Sequence, residues 1–202
     1  MHKKIVLFLP LAILCVFTSI HAEDIEDLVH AIEVGDMALV SVTGTGGSTG
    51  LVMEGQVVNQ TSDAKKLDIR LSTPLFLKNS GSGQDMVATQ IFMRGGGYVQ
   101  GPDKRSFIPL KSGERLLISL AAYCADFYKE NPSREESFTI KKMPSDLTEI
   151  MDKISAHEQS PFDANTMISA QIALWSAQNI DIEEIRGKFG LCSFKTTKCI
   201  RR

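Results

Sequence analysis

The sequence predicts a mainly β protein: an antiparallel β-sandwich of the Ig-like kind followed by a small C-terminal helical segment. Three observations carry this. Between Met37 and Ile140 the chain breaks into short apolar and β-branched runs separated by Gly, Ser, Asn, Asp and Pro, the pattern of a sandwich and not of strands alternating with long helices. In the run from Lys66 to Leu71, Leu67, Ile69 and Leu71 alternate with polar residues, the period of two that a half-buried strand needs. After Pro144 the apolar spacing becomes helical.

In chain order, residues 1–22 read as a secretory signal peptide. Lys3 and Lys4 give a positive start, Ile5 to Val16 is apolar apart from Pro10, and Thr18 to Ala22 leads to a cut after Ala22, where a small residue belongs. The apolar run falls short of the roughly 20 residues that span a bilayer, which favours cleavage over an anchor. Ala12, Ile13 and Leu14 before Cys15 do not suit lipidation of that cysteine. The expected product is residues 23–202, exported to the periplasm or the extracellular space.

Residues 24–34 set Ile25, Leu28, Val29 and Ile32 on one helical face, with Asp24, Glu26 and Asp27 at the positive end of the dipole and Gly35 as a stop. Strands are then expected at 37–43, 51–59, 66–71, 75–78, 86–92, 106–110, 115–123 and 137–140. Three helices follow: one from an N-cap at Ser145 to about His157, one over 164–178 capped by Asp163, and one capped by Asp181 that reaches Lys188 before Gly190. The organisation is therefore a leader at 1–22, a sandwich with a short N-terminal helix at 23–143, and a helical segment packed on it at 144–202, ending in a short basic tail.

Composition limits the function classes. Removing the leader takes away Lys3 and Lys4 and no acid, so the exported chain is more acidic than the whole, whose net charge is −2. It has no basic stripe for nucleic acid and no second apolar stretch long enough to span a membrane. His30 and His157 do not stand in a metal-binding spacing, and no Gly-x-Ser-x-Gly elbow occurs. No metal, no cofactor and no classical hydrolytic site is expected. The run Gly44-Thr-Gly-Gly-Ser-Thr-Gly50 lacks the lysine of a phosphate loop and is flanked by strands, so it reads as a mobile hairpin loop. Gly95-Gly96-Gly97 is a second flexible connection. Asn59-Gln60-Thr61 is a glycosylation sequon, relevant only in a eukaryotic secretory pathway.

Of the four cysteines, Cys15 lies in the leader, leaving Cys124, Cys192 and Cys199. An oxidising compartment favours a disulfide between Cys192 and Cys199. They stay free thiols where geometry forbids the bridge. Pairing them leaves Cys124 alone.

Cys124 ends an apolar run, Leu120-Ala-Ala-Tyr-Cys124, and Gln171 shares a helical face with Ile168 and Trp175. A glutamine on an apolar face must find hydrogen-bond partners when buried. One reading is structural: Cys124 is a small buried hydrophobe, and Gln171 bonds a strand or loop backbone, tying the helix to the sandwich. No Lys, Arg or His is near Cys124 in sequence to activate its thiol, and Asp126 opposes the thiolate.

A Tyr-Cys strand followed by a helix with Gln-x-Ala-x-Trp resembles the thioester domains of bacterial surface adhesins, with Ala170 where that family usually carries Thr. The resemblance implies Cys124 as thiol and Gln171 as acyl donor. The two condense with loss of ammonia, and the thioester acylates a surface nucleophile. More broadly, Asn59, Gln84-Asp85, Tyr123-Cys124 and Gln171 to Trp175 are similar to uncharacterised secreted bacterial β-sandwich proteins, which implies the architecture alone. The expectation is an exported, non-catalytic binding or structural module whose partner is an unknown protein or surface ligand. The alternative is a thioester-forming adhesion domain.

Overall fold

The computed structural model describes residues 25–62, 66–95, 97–100, 106–157 and 164–189. The leader at 1–22, the Asp163 cap and the tail with Cys192 and Cys199 lie outside the described residues. The order of elements is β1 (Glu26–Asp27), α1 (Leu28–Glu33), β2 (Met37–Gly44), β3 (Thr49–Asn59), β4 (Leu67–Arg70), β5 (Leu75–Asn79), β6 (Met86–Met93), β7 (Val99–Gln100), β8 (Ser106–Leu110), β9 (Arg115–Cys124), β10 (Phe138–Lys141), α2 (Ser145–His157), α3 (Ala164–Ala177) and α4 (Ile182–Lys188).

The protein is mainly β and has two sheets. The larger has the order β10-β5-β6-β9-β3-β2, and the smaller β1-β4-β8-β7. All ladders are antiparallel except β1 with β4. The larger sheet curls, and its two outer strands approach at an isolated bridge between Thr43 and Ser137.

The alternation along β9 separates two cores. Ile118, Leu120, Ala122 and Cys124 face the space between the sheets, where they meet Leu67, Ile69, Ile108, Leu110 and Leu28. Ala121 and Tyr123 face the other way and pack with Leu147, Met151 and Ile154 of α2 and Met167 and Leu174 of α3. Each large apolar side chain so buried contributes roughly 1.5–3 kcal/mol. The central strand thus carries no polar face to solvent over this stretch, because helices cover the side that the small sheet leaves bare.

Three local expectations are corrected. The N-terminal helix is shorter than 24–34, since Glu26 and Asp27 form β1 and Asp27 is the cap. Its Oδ1 accepts from the Val29 and His30 amides and its Oδ2 from those of Ser72 and Thr73. A carboxylate holding four backbone donors belongs at a helix end, not within the first turn. Helix α2 begins one residue earlier than a Ser145 cap requires, because the Pro144 carbonyl accepts the Leu147 and Thr148 amides, making Ser145 the first helical residue. The Gly44–Gly50 connection, expected to be mobile, is tied down: Gly44 N–H donates to Ser133 O, Gly46 N–H to Pro132 O, and Asn131 Nδ2 to Gly46 O. Gly44 is needed there, since a Cβ would stand 2.5 Å from the Pro132 carbonyl oxygen.

The edges of α1 and α4 follow simple chemistry. Gly35 ends α1 at φ +86, where other residues are strained. Asp181 caps α4 by accepting from the Glu183 amide at 2.8 Å, as its place before an acidic first turn predicts.

Candidate functional site

The site is the end of β9, where α3 docks. Strand β3 pairs with β9 as far as Thr49 opposite Tyr123. At Cys124 the N–H is shared between Ser48 O at 3.1 Å and Gln171 Oε1 at 2.8 Å. The Cys124 carbonyl accepts from Gln171 Nε2 at 2.9 Å and from Trp175 Nε1 at 3.0 Å. One turn on, Gln178 Nε2 donates to Ala125 O at 2.9 Å. A glutamine amide offers a coplanar acceptor and donor, as a peptide group does, so Gln171 completes the strand's hydrogen bonding where β3 runs out.

Residues 171 and 175 lie at i and i+4 of one face of α3, Gln178 follows in the turn just past its end, and all three donate side-chain N–H groups to the backbone of 124–125. Gln171 and Trp175 are both fully buried. Trp175 also meets Phe127 edge-on at 4.9 Å and Phe189 at 5.6 Å.

The thiol points elsewhere. Side chains leave a strand perpendicular to the plane of its hydrogen bonds. Cys124 Sγ accordingly lies in the core between the sheets, 3.6 Å from Sδ of Met86, its partner in register on β6. Burial pushes the Cys124 thiol up to about 12; Lys188 offsets part of this and Asp126 adds to it. A thiol held so high is neutral at physiological pH and is a poor nucleophile. The observed bonds of the Gln171 amide run to the main chain of Cys124, and the thiol's contact is with Met86.

Sequence separation hid Lys188. From the last turn of α4 its ammonium donates to the carbonyls of Phe127 and Lys129 and lies 4.8 Å above the Phe127 ring and 5.2 Å from the Trp175 ring. Burial lowers its pKa. The short helix therefore clips onto the segment that leaves β9.

A polar belt holds the same segment from the other side. Asp85 accepts from Lys78 Nζ at 2.7 Å and from the Asn79 amide at 2.9 Å. Asp126 accepts from the Asp85 amide at 3.1 Å and from Lys129 Nζ at 2.9 Å. Burial works to raise Asp126, but these bonds and the nearby lysines outweigh it and hold the carboxyl below its ordinary value. Gln84 is fully buried and donates to Lys129 O at 2.8 Å. These bonds fasten the 79–85 turn to 126–131 and fix where β9 ends.

No family model, curated protein or solved structure matches the chain.

The remaining sequence candidates are placed as follows. Asn59 is fully buried, gives its Nδ2 to Leu110 O at 3.2 Å, and accepts from Thr61 at Oδ1, so the folded chain does not present the sequon. His30 is exposed on α1. Among the described residues no group of three or more His, Cys, Asp or Glu is placed to hold a metal ion, and no helix is long and apolar enough to cross a membrane. A groove of about 510 Å³ runs between α2 and α3 over Tyr123, with Ile150, Ile154, Ala170 and Ala173 in its walls.

Proposed function

We propose that the chain is an exported, non-catalytic binding or structural module, built on an Ig-like β-sandwich to which α3 is clamped. The observation that carries this reading is the use made of Gln171. Both atoms of its amide are bonded to the Cys124 backbone, and the thiol beside it is buried and neutral. The most reactive-looking pair in the sequence thus serves as a fastener between helix and sheet. Export rests on the leader at 1–22, and the partner is a protein or surface ligand.

A second reading keeps the thioester. What favours it is that the fold does bring Cys124 and Gln171 into contact across 47 residues of chain. Thioester formation requires Sγ to attack the Gln171 side-chain carbonyl carbon and expel ammonia, which needs the amide released from the backbone and the thiol turned from Met86.

Intact-mass analysis of the protein recovered from the cell envelope of its host tests both. The module reading expects an N-terminus at Glu23 and a mass with no loss of ammonia. A mass short by one ammonia, abolished by Cys124→Ala, establishes the thioester instead. A chain starting at Met1 refutes processing.

A further inference from the structure

A second groove, of about 470 Å³, lies where α1 meets the start of β5 and the end of β10. Asp27 builds one side of it. By accepting from the Ser72 and Thr73 amides, its carboxylate holds the start of α1 against the chain that enters β5. Helix α1 buries Leu28 and Ala31 in the core between the sheets and leaves Val29 and Ile32 half-buried along the groove. Leu75 belongs to that same core and Phe76 to the core under α2 and α3. Both line the groove, which therefore sits at the sheet edge where the two cores meet.

The polar side chains that line it are Glu33, Thr73, Lys141 and Lys142, and all four are exposed. The buried part thus offers no side-chain donor or acceptor. A ligand body rich in hydroxyl or amide groups would lose its water there without replacement, whereas a hydrocarbon chain would not. The cations set the other requirement. Lys141 stands opposite Phe76 in register and Lys142 is the first residue past that ladder. Among the described residues neither forms an ion pair or a hydrogen bond. Glu33 is the one acid among the described lining residues, so the two lysines leave the groove net positive. The groove between α2 and α3 differs, because its Lys153 is already paired with Glu149 at 2.6 Å.

We propose that this groove binds a free long-chain carboxylate, with the hydrocarbon chain against Ile32, Leu75, Phe76 and Met143 and the carboxylate between the ammonium groups of Lys141 and Lys142. The volume falls in the range of small-molecule sites, roughly 300–1,000 Å³. Apolar walls with free cations at the rim match a ligand that is apolar along its length and anionic at one end. Lysine suits the rim because its stem lies along apolar surface while its charge stays in water. The site does not depend on the module reading, since it shares no residue with the Gln171 clamp.

Calorimetric titration of the purified protein, freed of bound lipid, with octanoate, decanoate and dodecanoate below their micellar concentrations tests this. One saturable site is expected, tightening about fourfold for each added CH₂ until the groove is full. The double variant Lys141→Gln/Lys142→Gln should bind decanoate roughly threefold or more weakly and no longer prefer it to decanol. Ile32→Glu sets a carboxylate on the wall and should abolish binding, and Met143→Glu decides the matter should Ile32→Glu fail to fold. A wild-type protein that binds no decanoate at millimolar concentration overturns the proposal. So does binding that is indifferent to the lysines, or that survives in the folded glutamate variants and therefore lies elsewhere, as between α2 and α3. Co-sedimentation with phosphatidylglycerol vesicles without binding of the free acids would make the lysines a contact for a lipid surface, and overturns it too.

Discussion

Removing the Gln171 amide tests whether the clamp is structural, and the geometry fixes the size of the effect. Gln171 makes two buried bonds, to the Cys124 N–H and to the Cys124 carbonyl. Each backbone group has a second partner: Ser48 O for the N–H and Trp175 Nε1 for the carbonyl. Losing the amide therefore orphans neither. Gln171→Ala forfeits two bonds worth roughly 1 kcal/mol each, plus some packing, for a loss of roughly 2–3 kcal/mol. Gln171→Met refills the space and should lose roughly 1–2 kcal/mol.

The double change is more informative. Trp175→Phe removes one bond and should lose roughly 1 kcal/mol by itself, because Gln171 still holds the carbonyl. Together the two substitutions strip the buried Cys124 carbonyl of both side-chain donors. An unsatisfied buried acceptor adds a penalty of roughly 1–3 kcal/mol that neither single variant incurs. Urea unfolding of wild type, Gln171→Met, Trp175→Phe and the double variant closes the cycle. The expected result is a double variant less stable than the sum of the singles by about 1 kcal/mol or more. Additivity within about 0.5 kcal/mol, or a Gln171→Ala loss below that figure, would refute the shared-carbonyl reasoning.

Two further perturbations follow from the same region. Because burial raises the Cys124 thiol from the ordinary value of 9.0 to about 12, its contribution is present in full below pH 9 and fades as pH rises toward 12, at up to about 1.4 kcal/mol per pH unit. Cys124→Ala should flatten the alkaline fall in stability measured by urea unfolding, and an unchanged slope would show that the thiol does not titrate high. Gly44→Ala drives a Cβ against the Pro132 carbonyl and should destabilise by roughly 1–3 kcal/mol. A neutral result in thermal melting would mean that the 131–133 segment yields freely.

Much of the fold was legible because the periodic signals were local. Leu67, Ile69 and Leu71 alternate, and all three are buried. Asp181 caps α4 where its sequence context places it. Two-residue strands such as β1 and β7 leave no period to read, and so were missed. Asp27 misled for a related reason: an acid before an apolar run suits either a first turn or a cap. The choice was made by the distant Ser72 and Thr73 amides.

The site was legible only as a demand. A glutamine at helical spacing from Trp175 had to find partners, but neither residue indicates that they are the N–H and C=O of one residue 47 positions earlier. Gln178 repeats the demand at i+7, and Trp175 Nε1 supplies a donor at i+4. Read together, these form a row of side-chain donors on an otherwise apolar helix face, and such a row needs a backbone that has lost its neighbouring strand on one side. Cys124 provides that backbone because β3 has run out at Thr49. The conjunction also explains why the motif resembles reactive chemistry. A helix that sets an amide against the end of a cysteine-bearing strand can either bond the main chain or acylate the thiol. Which occurs depends on whether the sulfur faces the amide or the core, and here it faces Met86.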